Sequence, residues 1–503
     1  MTAVFSEQDL QAMKAHDLTP AQVKSQLDVF KRGSFYYRLN RSCTRQDGIV
    51  SVPEPEQTQL VALYEEEEAK GRMLKFVPAS GAASRMFKDW HGIYNEGCSD
   101  ANRDEILNSF DRYAFYDDLE QVISLFSLKE LIAKKDLRTI LDFVLTPRGL
   151  NYANLPKALL KFHSYPEGNR TALEEHLVEA ALYVRDRQGI CRLHLTLSEE
   201  HVPLIENYIS KAARQYDEKL GITFQIGIST QMPSTDTVAA DEDNGLFRDE
   251  SGLPVFRPGG HGALIENLNA LKADIVLIKN IDNIVPDRLK TVTVRYKKIL
   301  GGFLLKLQAS IFDYLRRLEE ESLNSDLISE IVRFCENDLK IVFPSSFRPL
   351  DLKGQQDFLK ERLHRPLRVC GVVKNEGEPG GGPFWVEEED GTQSLQIIES
   401  AQVDFRFEDQ KTIWKSAGYF NPVDLACGLR DYQGNSFDLS RFIDRRAYLI
   451  AEKSQGGRAL KALEHPGLWN GAMAHWNTIF LEVPIETFNP VKTVEDLLRK
   501  QHQ

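Results

Sequence analysis

The stretch Lys75-Phe76-Val77-Pro78-Ala79-Ser80-Gly81-Ala82-Ala83-Ser84-Arg85-Met86-Phe87-Lys88 decides how the rest of the chain is read. The apolar run Met73 to Val77, interrupted by Lys75, has the length and composition of a buried strand. Six residues with small side chains follow, then a basic amphipathic segment that begins a helix. Strand, small-residue turn and helix start together let backbone N–H groups approach an anion closely. Arg85 and Lys88 add positive charge beside the turn. An ordinary strand–helix connection with solvated basic side chains fits the same residues. The segments further along the chain decide between the two.

A chain of 503 residues is too long for one compact core and predicts two or three structural units. No run of about 18 apolar residues occurs, so no transmembrane helix and no membrane partner are expected. Met1 to Ala15 mixes charge into its apolar residues and lacks a signal-peptide core. Six scattered cysteines without a CxxC pair argue against a disulfide framework or a zinc site and point to a cytoplasmic protein. The net charge of -12 excludes general nucleic-acid binding. An anionic small substrate then needs a local basic site working against the overall field.

Residues 1 to about 70 read as helical and irregular, with helix starts at Ser6 and at Thr19-Pro20. Glu65 to Glu68 read as a solvated helix end, since four adjacent residues cannot share one helix face. Residues 90 to 150 are helical, with Leu119, Val122, Ile123 and Phe126 at helical spacing. In Asn154-Leu155-Pro156-Lys157-Ala158-Leu159-Leu160-Lys161-Phe162-His163 a proline fixes the backbone just before a lysine, and an apolar strand-like run follows. Arg170 reads as a solvated residue at the start of the helix Thr171 to Tyr183. Strands over Cys191–Leu197, Ile222–Ile228 and Ala273–Ile278 alternate with helices such as Ser198–Tyr216, which predicts an α/β unit with a largely parallel sheet. Ligands in such sheets bind outside the carboxyl ends of the strands.

Three loops there carry unusual chemistry: Gln231 to Thr237, Phe256 to Leu264 with three glycines flanking His261, and Asn280-Ile281-Asp282-Asn283 at the end of a buried strand. The glycines permit positive φ and close approach of a ring or phosphate. A single carboxylate such as Asp282, together with substrate phosphates, is the usual way Mg²⁺ is held. A turn or N-cap role fits Asp282 as well.

On these residues the chain resembles the sugar-1-phosphate nucleotidylyltransferases, nearest to the UDP-glucose and UDP-sugar pyrophosphorylases. Ala79 to Met86 resembles the superfamily's signature small-G-G-x-G-T/S-R-[LM], and Pro156-Lys157-Ala158-Leu159-Leu160 resembles its P-K-x-L-L half, displaced by a helical insert. Pro258 to Gly262 resembles the P-G-H-G segment that lies against uracil in UDP-sugar enzymes. Asn280 to Asn283 resembles the metal-site segment, and Phe420-Asn421-Pro422-Val423-Asp424-Leu425 the sugar-side F-N-T-N-N-L. Thr487 to Leu498 is similar to R-F-x-P-V-K-T-x-x-D-L-L, with Lys492 on the phosphate-contacting lysine. The match departs from the pattern at Ser80 and Ala83, where the family has glycine, and at Val423-Asp424, where it has paired asparagines.

The resemblance implies a Rossmann-like nucleotidyltransferase fold (GT-A type): an α/β mixed sheet with helical insertions and a helical N-terminal region. The expected organisation is residues 1–70 helical, 71–410 catalytic with inserts near 90–150 and 288–363, and 411–503 completing the sugar and phosphate site. It implies transfer of a nucleotidyl group, with UTP favoured over a guanine nucleotide, to a sugar 1-phosphate. Arg85, Lys157 and Lys492 are the implied catalytic cations, and Asp282 the implied Mg²⁺ ligand. Ala79, Ser80, Gly81, Ala82, Ser84, Lys88, Gln231, Gly260, His261 and Gly262 are the implied nucleotide contacts. Asn375, Glu376, Glu378, Glu399 and Asn421 are the sugar-side candidates, with Asp404 a further one. The glycine-rich segment Lys374 to Trp385 reads equally well as a surface hairpin. Trp469, His475 and Trp476 read as a small aromatic core. A protein that binds the nucleotide without turnover is the alternative.

Overall fold

The computed structural model describes residues 5–81, 83–123, 127–320, 324–377 and 380–503. Chain packing divides it into two units assembled from separated segments: residues 1–63, 231–276 and 300–483, and residues 64–230, 277–299 and 484–503. Strands distant in sequence pair within each unit and draw the intervening chain with them.

In the second unit, β1 (Met73–Pro78) pairs in parallel with β2 (Ile190–Leu197), and β2 in parallel with β3 (Thr223–Thr230). β4 (Ile275–Lys279), of which residues 277–279 fall in this unit, lies on the other side of β1. Helix α1 (Ala172–Tyr183) starts with a reciprocal cap, in which the Thr171 side chain accepts from the Glu174 N–H and the Glu174 side chain from the Thr171 N–H. The core gathers Phe76, Val77, Leu177, Leu193 and Leu195, all essentially buried. Trp90, Phe110, Tyr113 and Phe115 stack edge and face in the helical insert after the loop. The segment after Lys157 forms a 3-10 turn, Lys157–Leu159, before the short strand Lys161–His163.

In the first unit, β5 (Leu367–Lys374) runs antiparallel to β6 (Asp424–Gly428) and parallel to β7 (Asn477–Glu482). The N-terminal helices Glu7–Ala15 and Pro20–Arg32 start at Ser6 and Thr19 caps and pack Met13, Leu18, Val23 and Phe30 on Val238, Ala240 and Leu463. Leu304, Leu307, Ile311, Leu315 and Leu318 are buried, as their spacing predicts.

Three local readings change. Arg170 is buried, not solvated, and pairs with Asp287 at 2.7 Å. Glu68 is buried too, and burial raises its pKa to about 7 even though it accepts from the Arg185 N–H. Trp469 stacks on His261 at 4.3 Å between ring centres in place of joining His475 and Trp476. In each case a partner remote in sequence sets the environment. Among the described residues no helix is long and apolar enough to cross a membrane.

Candidate functional site

The loop after β1 is tied down by its neighbours. The Ala79 N–H donates to Thr196 O (2.9 Å), the Ala83 N–H to Leu155 O (3.1 Å), and the Lys157 N–H to Gly81 O (3.2 Å). The Ser198 hydroxyl donates to Ser80 O at 2.9 Å. Ala83–Arg85 then forms a 3-10 turn, and the helix Lys88–Glu96 follows. The Ala79 and Ala83 methyls are buried, whereas Ser80, Gly81, Ser84, Arg85 and Lys88 are exposed. Ala79 has spent its N–H, so Ser80, Gly81 and Ser84 are the loop residues open to an anion. None of the described loop residues has a positive φ, and a Cβ built on Gly81 meets nothing within 4 Å. The loop thus occupies ordinary backbone space, and Ser80 and Ala83 fit it without strain. Ala82 lies outside the described residues. Arg85 and Lys88 make no ion pair among the described residues.

Beside this loop in the same unit, two lysines converge on one carboxylate. Asp282 Oδ2 accepts from Lys157 Nζ at 3.2 Å and from Lys492 Nζ at 2.9 Å. Lys157 Nζ also donates to Val491 O at 2.8 Å. The Asp282 turn is held by the chain's last segment, since the Val491 N–H donates to Asp282 O (3.0 Å) and the Asn489 N–H to Asn283 Oδ1 (2.9 Å). That segment also reaches the loop, through the Val494 N–H and Met86 O at 3.1 Å. Asp496 Oδ2 accepts from the N–H groups of Lys492 and Thr493 and so orients the lysine.

Asp282 is buried and Lys157 nearly so, while the Lys492 side chain is 53% exposed. Burial pushes the Asp282 pKa up, but the two ammonium groups outweigh it and the carboxyl sits below its ordinary value. Burial and the Lys492 charge pull Lys157 down against the attraction of Asp282. Asp282 Oδ1 is buried and has no hydrogen-bond partner. No group of three or more His, Cys, Asp or Glu able to hold a metal occurs among the described residues.

The base-side and sugar-side candidates lie in the first unit. Gln231 Nε2 donates to Asp236 Oδ1 at 3.3 Å. Gly260 has φ +75°, and a Cβ on Gly262 would stand 2.2 Å from Pro466 O, so this loop needs glycine to pack on its own chain. His261 Nδ1 accepts from the Leu468 N–H at 3.1 Å, which places the ring proton on Nε2. Burial lowers the His261 pKa to about 4, so the ring is neutral. Glu399 is raised by burial and by the Glu464 charge, against hydrogen bonds involving Trp469 and Asn470. His261, Trp469, Glu399 and Glu464 therefore form one neighbourhood. Glu464 carried no sequence signal, and Trp469 was placed elsewhere.

Asn421 spends both ends of its amide on its own unit: Nδ2 donates to Gly371 O (2.8 Å), and Oδ1 accepts from the Val423 N–H (3.1 Å). It braces a left-handed Val423 (φ +57°), a conformation costly for a β-branched residue and easy for asparagine. Asn375 and Glu376 are exposed, and Asn375 Oδ1 accepts from the Gly377 N–H. Asp404 is paired with Arg406. Glu378 lies outside the described residues.

A family model described as "Domain of unknown function (DUF4301)" matches residues 6–503. No curated protein matches the chain. Among solved structures, the uridine diphosphate N-acetylglucosamine pyrophosphorylase of Trypanosoma brucei aligns over 99% of this chain and 85% of its own, at 12% identity and a TM-score of 0.51. A putative UDP-N-acetylglucosamine pyrophosphorylase of Entamoeba histolytica aligns over 87% and 80%, at 14% identity and a TM-score of 0.43. A UDP-glucose pyrophosphorylase of Leishmania major aligns over 98% and 79%, at 12% identity and a TM-score of 0.46. At such identity the likeness to the first shows the fold alone, a Rossmann-like α/β nucleotidyltransferase fold with a mixed sheet.

Proposed function

The chain belongs to the DUF4301 family, and from its phosphate-suited site we propose that it is a sugar-1-phosphate nucleotidylyltransferase. The observation that carries this reading is the convergence of Lys157 and Lys492 on Asp282 beside the Ala79–Arg85 loop. Two ammonium groups share one carboxylate, so the protonated site is one positive charge in excess. Exposed Arg85 and Lys88 extend that charge along the loop. In a chain of net charge -12, such a local concentration of cations suits a polyphosphate.

The reaction needs no protein nucleophile. An oxygen of the sugar 1-phosphate forms a bond to the α-phosphorus of the triphosphate as the bond to the bridging oxygen breaks, and pyrophosphate leaves with the electron pair. Arg85 and Lys88, with the open loop amides, bind the β- and γ-phosphates. Lys157 and Lys492 orient the attacking phosphate and the α-phosphate and offset the charge that builds up in the transition state. An arriving phosphate also favours the ammonium form of Lys157, which burial opposes. Mg²⁺ fits beside Asp282, because Oδ1 is a buried acceptor left over once Oδ2 has taken both lysines. One carboxylate with phosphates and water is a sufficient complement for that ion. When bound, it supplies Lewis-acid neutralisation of the phosphate oxygens. UTP is the favoured donor, on the resemblance of Pro258 to Gly262 to the uracil segment of UDP-sugar enzymes.

The test is pyrophosphate release from mixtures of protein, Mg²⁺, each of the four ribonucleoside triphosphates and a panel of sugar 1-phosphates. Release with one combination supports the reading and identifies the pair. Triphosphate binding without release from any mixture would replace it with a binding protein.

A further inference from the structure

Behind the phosphate site, in the same unit, lies a second cluster with one carboxylate and two lysines. Glu179 on α1 accepts from Lys75 Nζ through Oε1 (3.1 Å) and from Lys279 Nζ through Oε2 (2.8 Å). All three side chains are essentially inaccessible. The Tyr183 hydroxyl donates to Glu179 Oε1 at 2.8 Å, and Lys297 Nζ donates to Ile278 O at 3.1 Å. Lys75 sits in β1, which runs into the Ala79–Arg85 loop, and Lys279 ends β4, which runs into Asp282. Glu179 therefore gathers the two strands whose ends carry the phosphate machinery.

One turn earlier on α1, fully buried His176 faces the same place. Lys75 Nζ donates to His176 O at 3.1 Å, and the His176 ring Nε2 lies 3.2 Å from Ile281 O. A carbonyl only accepts, so Nε2 carries the proton. Nδ1 is buried without a partner, and burial with the Lys75 charge drives the pKa well below its ordinary value, so the ring is neutral. Ile281 immediately precedes Asp282, and its own N–H reaches Pro78 O at 3.4 Å. An apolar side chain would avoid burying the imidazole and its orphan nitrogen. What the imidazole adds is a donor aimed at the backbone that carries Asp282.

We propose that His176 is a positioning residue: from the helix face that Glu179 pins to β1 and β4, it holds the Ile281 carbonyl and so sets where the Asp282 carboxylate meets Lys157 and Lys492. The role rests on the phosphate-site reading above. A site built this way depends on support behind the groups that touch substrate, because a displacement of about 1 Å in a charged site weakens it steeply.

The experiment titrates full-length protein with tripolyphosphate in Mg²⁺ buffer and follows pyrophosphate release in parallel, for the wild type, His176→Leu and His176→Gln. The glutamine amide reaches the Nε2 position and donates to Ile281 O, and leucine cannot. The leucine variant is expected to lose about tenfold or more in tripolyphosphate affinity and in turnover, while glutamine stays within about threefold of wild type. Their thermal midpoints are expected to lie within about 4 °C of each other. Equal affinities for the leucine and glutamine variants, or a leucine variant that matches wild type, would overturn the proposal. Should the leucine variant fail to fold, His176→Asn, polar but too short to reach Ile281, carries the same expected loss. Wild-type tripolyphosphate binding without pyrophosphate release sinks the transfer reaction, and the leucine–glutamine comparison still decides the positioning role. No tripolyphosphate binding by wild type overturns both.

Discussion

The clusters at Glu179 and at Asp282 use the same ingredients, one carboxylate and two lysines, and differ in access to water. Around Glu179 both lysines are sealed in, each oxygen takes one of them, and Tyr183 adds a donor. Around Asp282 a single oxygen takes both lysines, the other oxygen is left over, and Lys492 reaches solvent. A buried ion cluster holds its geometry because every alternative costs desolvation. A half-open one exchanges partners cheaply. The difference separates a part built to stay fixed from a part built to release its lysines to an incoming phosphate.

The largest expected effect breaks the closed cluster. Glu179→Gln keeps the shape but leaves Lys75 and Lys279 without a carboxylate, and about 3–5 kcal/mol of stability should be lost. Lys75→Met leaves Glu179 paired with Lys279 and should cost far less. Asp282→Asn, by contrast, frees Lys492 to turn into water and leaves the nearly buried Lys157 ammonium on Val491 O alone, so it should cost about 1–3 kcal/mol, less than Glu179→Gln. Denaturant unfolding of the three variants checks this order, and equal losses for the two carboxylates would erase the distinction drawn here.

In activity the order reverses. Lys492→Ala removes a cation that meets the phosphates, and Asp282→Asn the carboxylate that aligns both lysines and would hold Mg²⁺; turnover should fall at least about a hundredfold in either, as for loss of one transition-state charge stabiliser. Pyrophosphate release at saturating triphosphate measures it. Near-normal rates in either variant would remove that residue from the machinery.

The closed cluster also has a pH signature. Burial, opposed by Glu179 and reinforced by Lys279 and Lys297, lowers the Lys75 pKa from 10.5 to about 7. Between those values the unfolded chain holds one proton more than the folded chain at this residue. The Lys75 contribution to stability therefore rises with pH above about 7, by at most about 1.4 kcal/mol per unit, and its cost is fully present below. Unfolding free energies at pH 7, 8 and 9 should show this rise in wild type and a flatter profile in Lys75→Met. Superimposable profiles would mean that Lys75 keeps its proton throughout.

The same contrast explains what the sequence disclosed. The strand before the loop, the parallel strands after it, and the positions of Lys157, Asp282 and Lys492 were readable because each sits in an apolar or proline-marked segment with a fixed local pattern. His176, Glu179 and Arg170 were not, because a buried ionic partner is chosen by tertiary packing and leaves no periodicity. A signal was present in Lys75 and Lys279, two lysines inside otherwise apolar strands, MLKFV and IVLIK. A lysine there needs a buried carboxylate, but nothing local says which one. The sugar-side segment was half legible: Asn421 matched a motif, yet its amide braces Val423, and the neighbourhood of Glu464 and Trp469 arises from contacts between distant segments.

The smallest expected effect concerns the loop that joins the open cluster to β1. Glycine at position 83 would matter if the loop needed positive φ to wrap a phosphate, but no described loop residue has one, and Ala83 is buried with its N–H on Leu155 O. Ala83→Gly therefore removes a packed methyl and loosens the backbone without opening any conformation the loop uses. It should cost about 0.5–1 kcal/mol in stability and change triphosphate affinity by less than about twofold, because Lys157 and Lys492 keep their bonds to Asp282. Titration calorimetry with the favoured triphosphate, beside a denaturant melt, measures both. A several-fold gain in affinity would show that the alanine holds the loop away from its phosphate-binding form. A several-fold loss would show that the open cluster depends on a rigid loop as strictly as the closed cluster depends on Glu179.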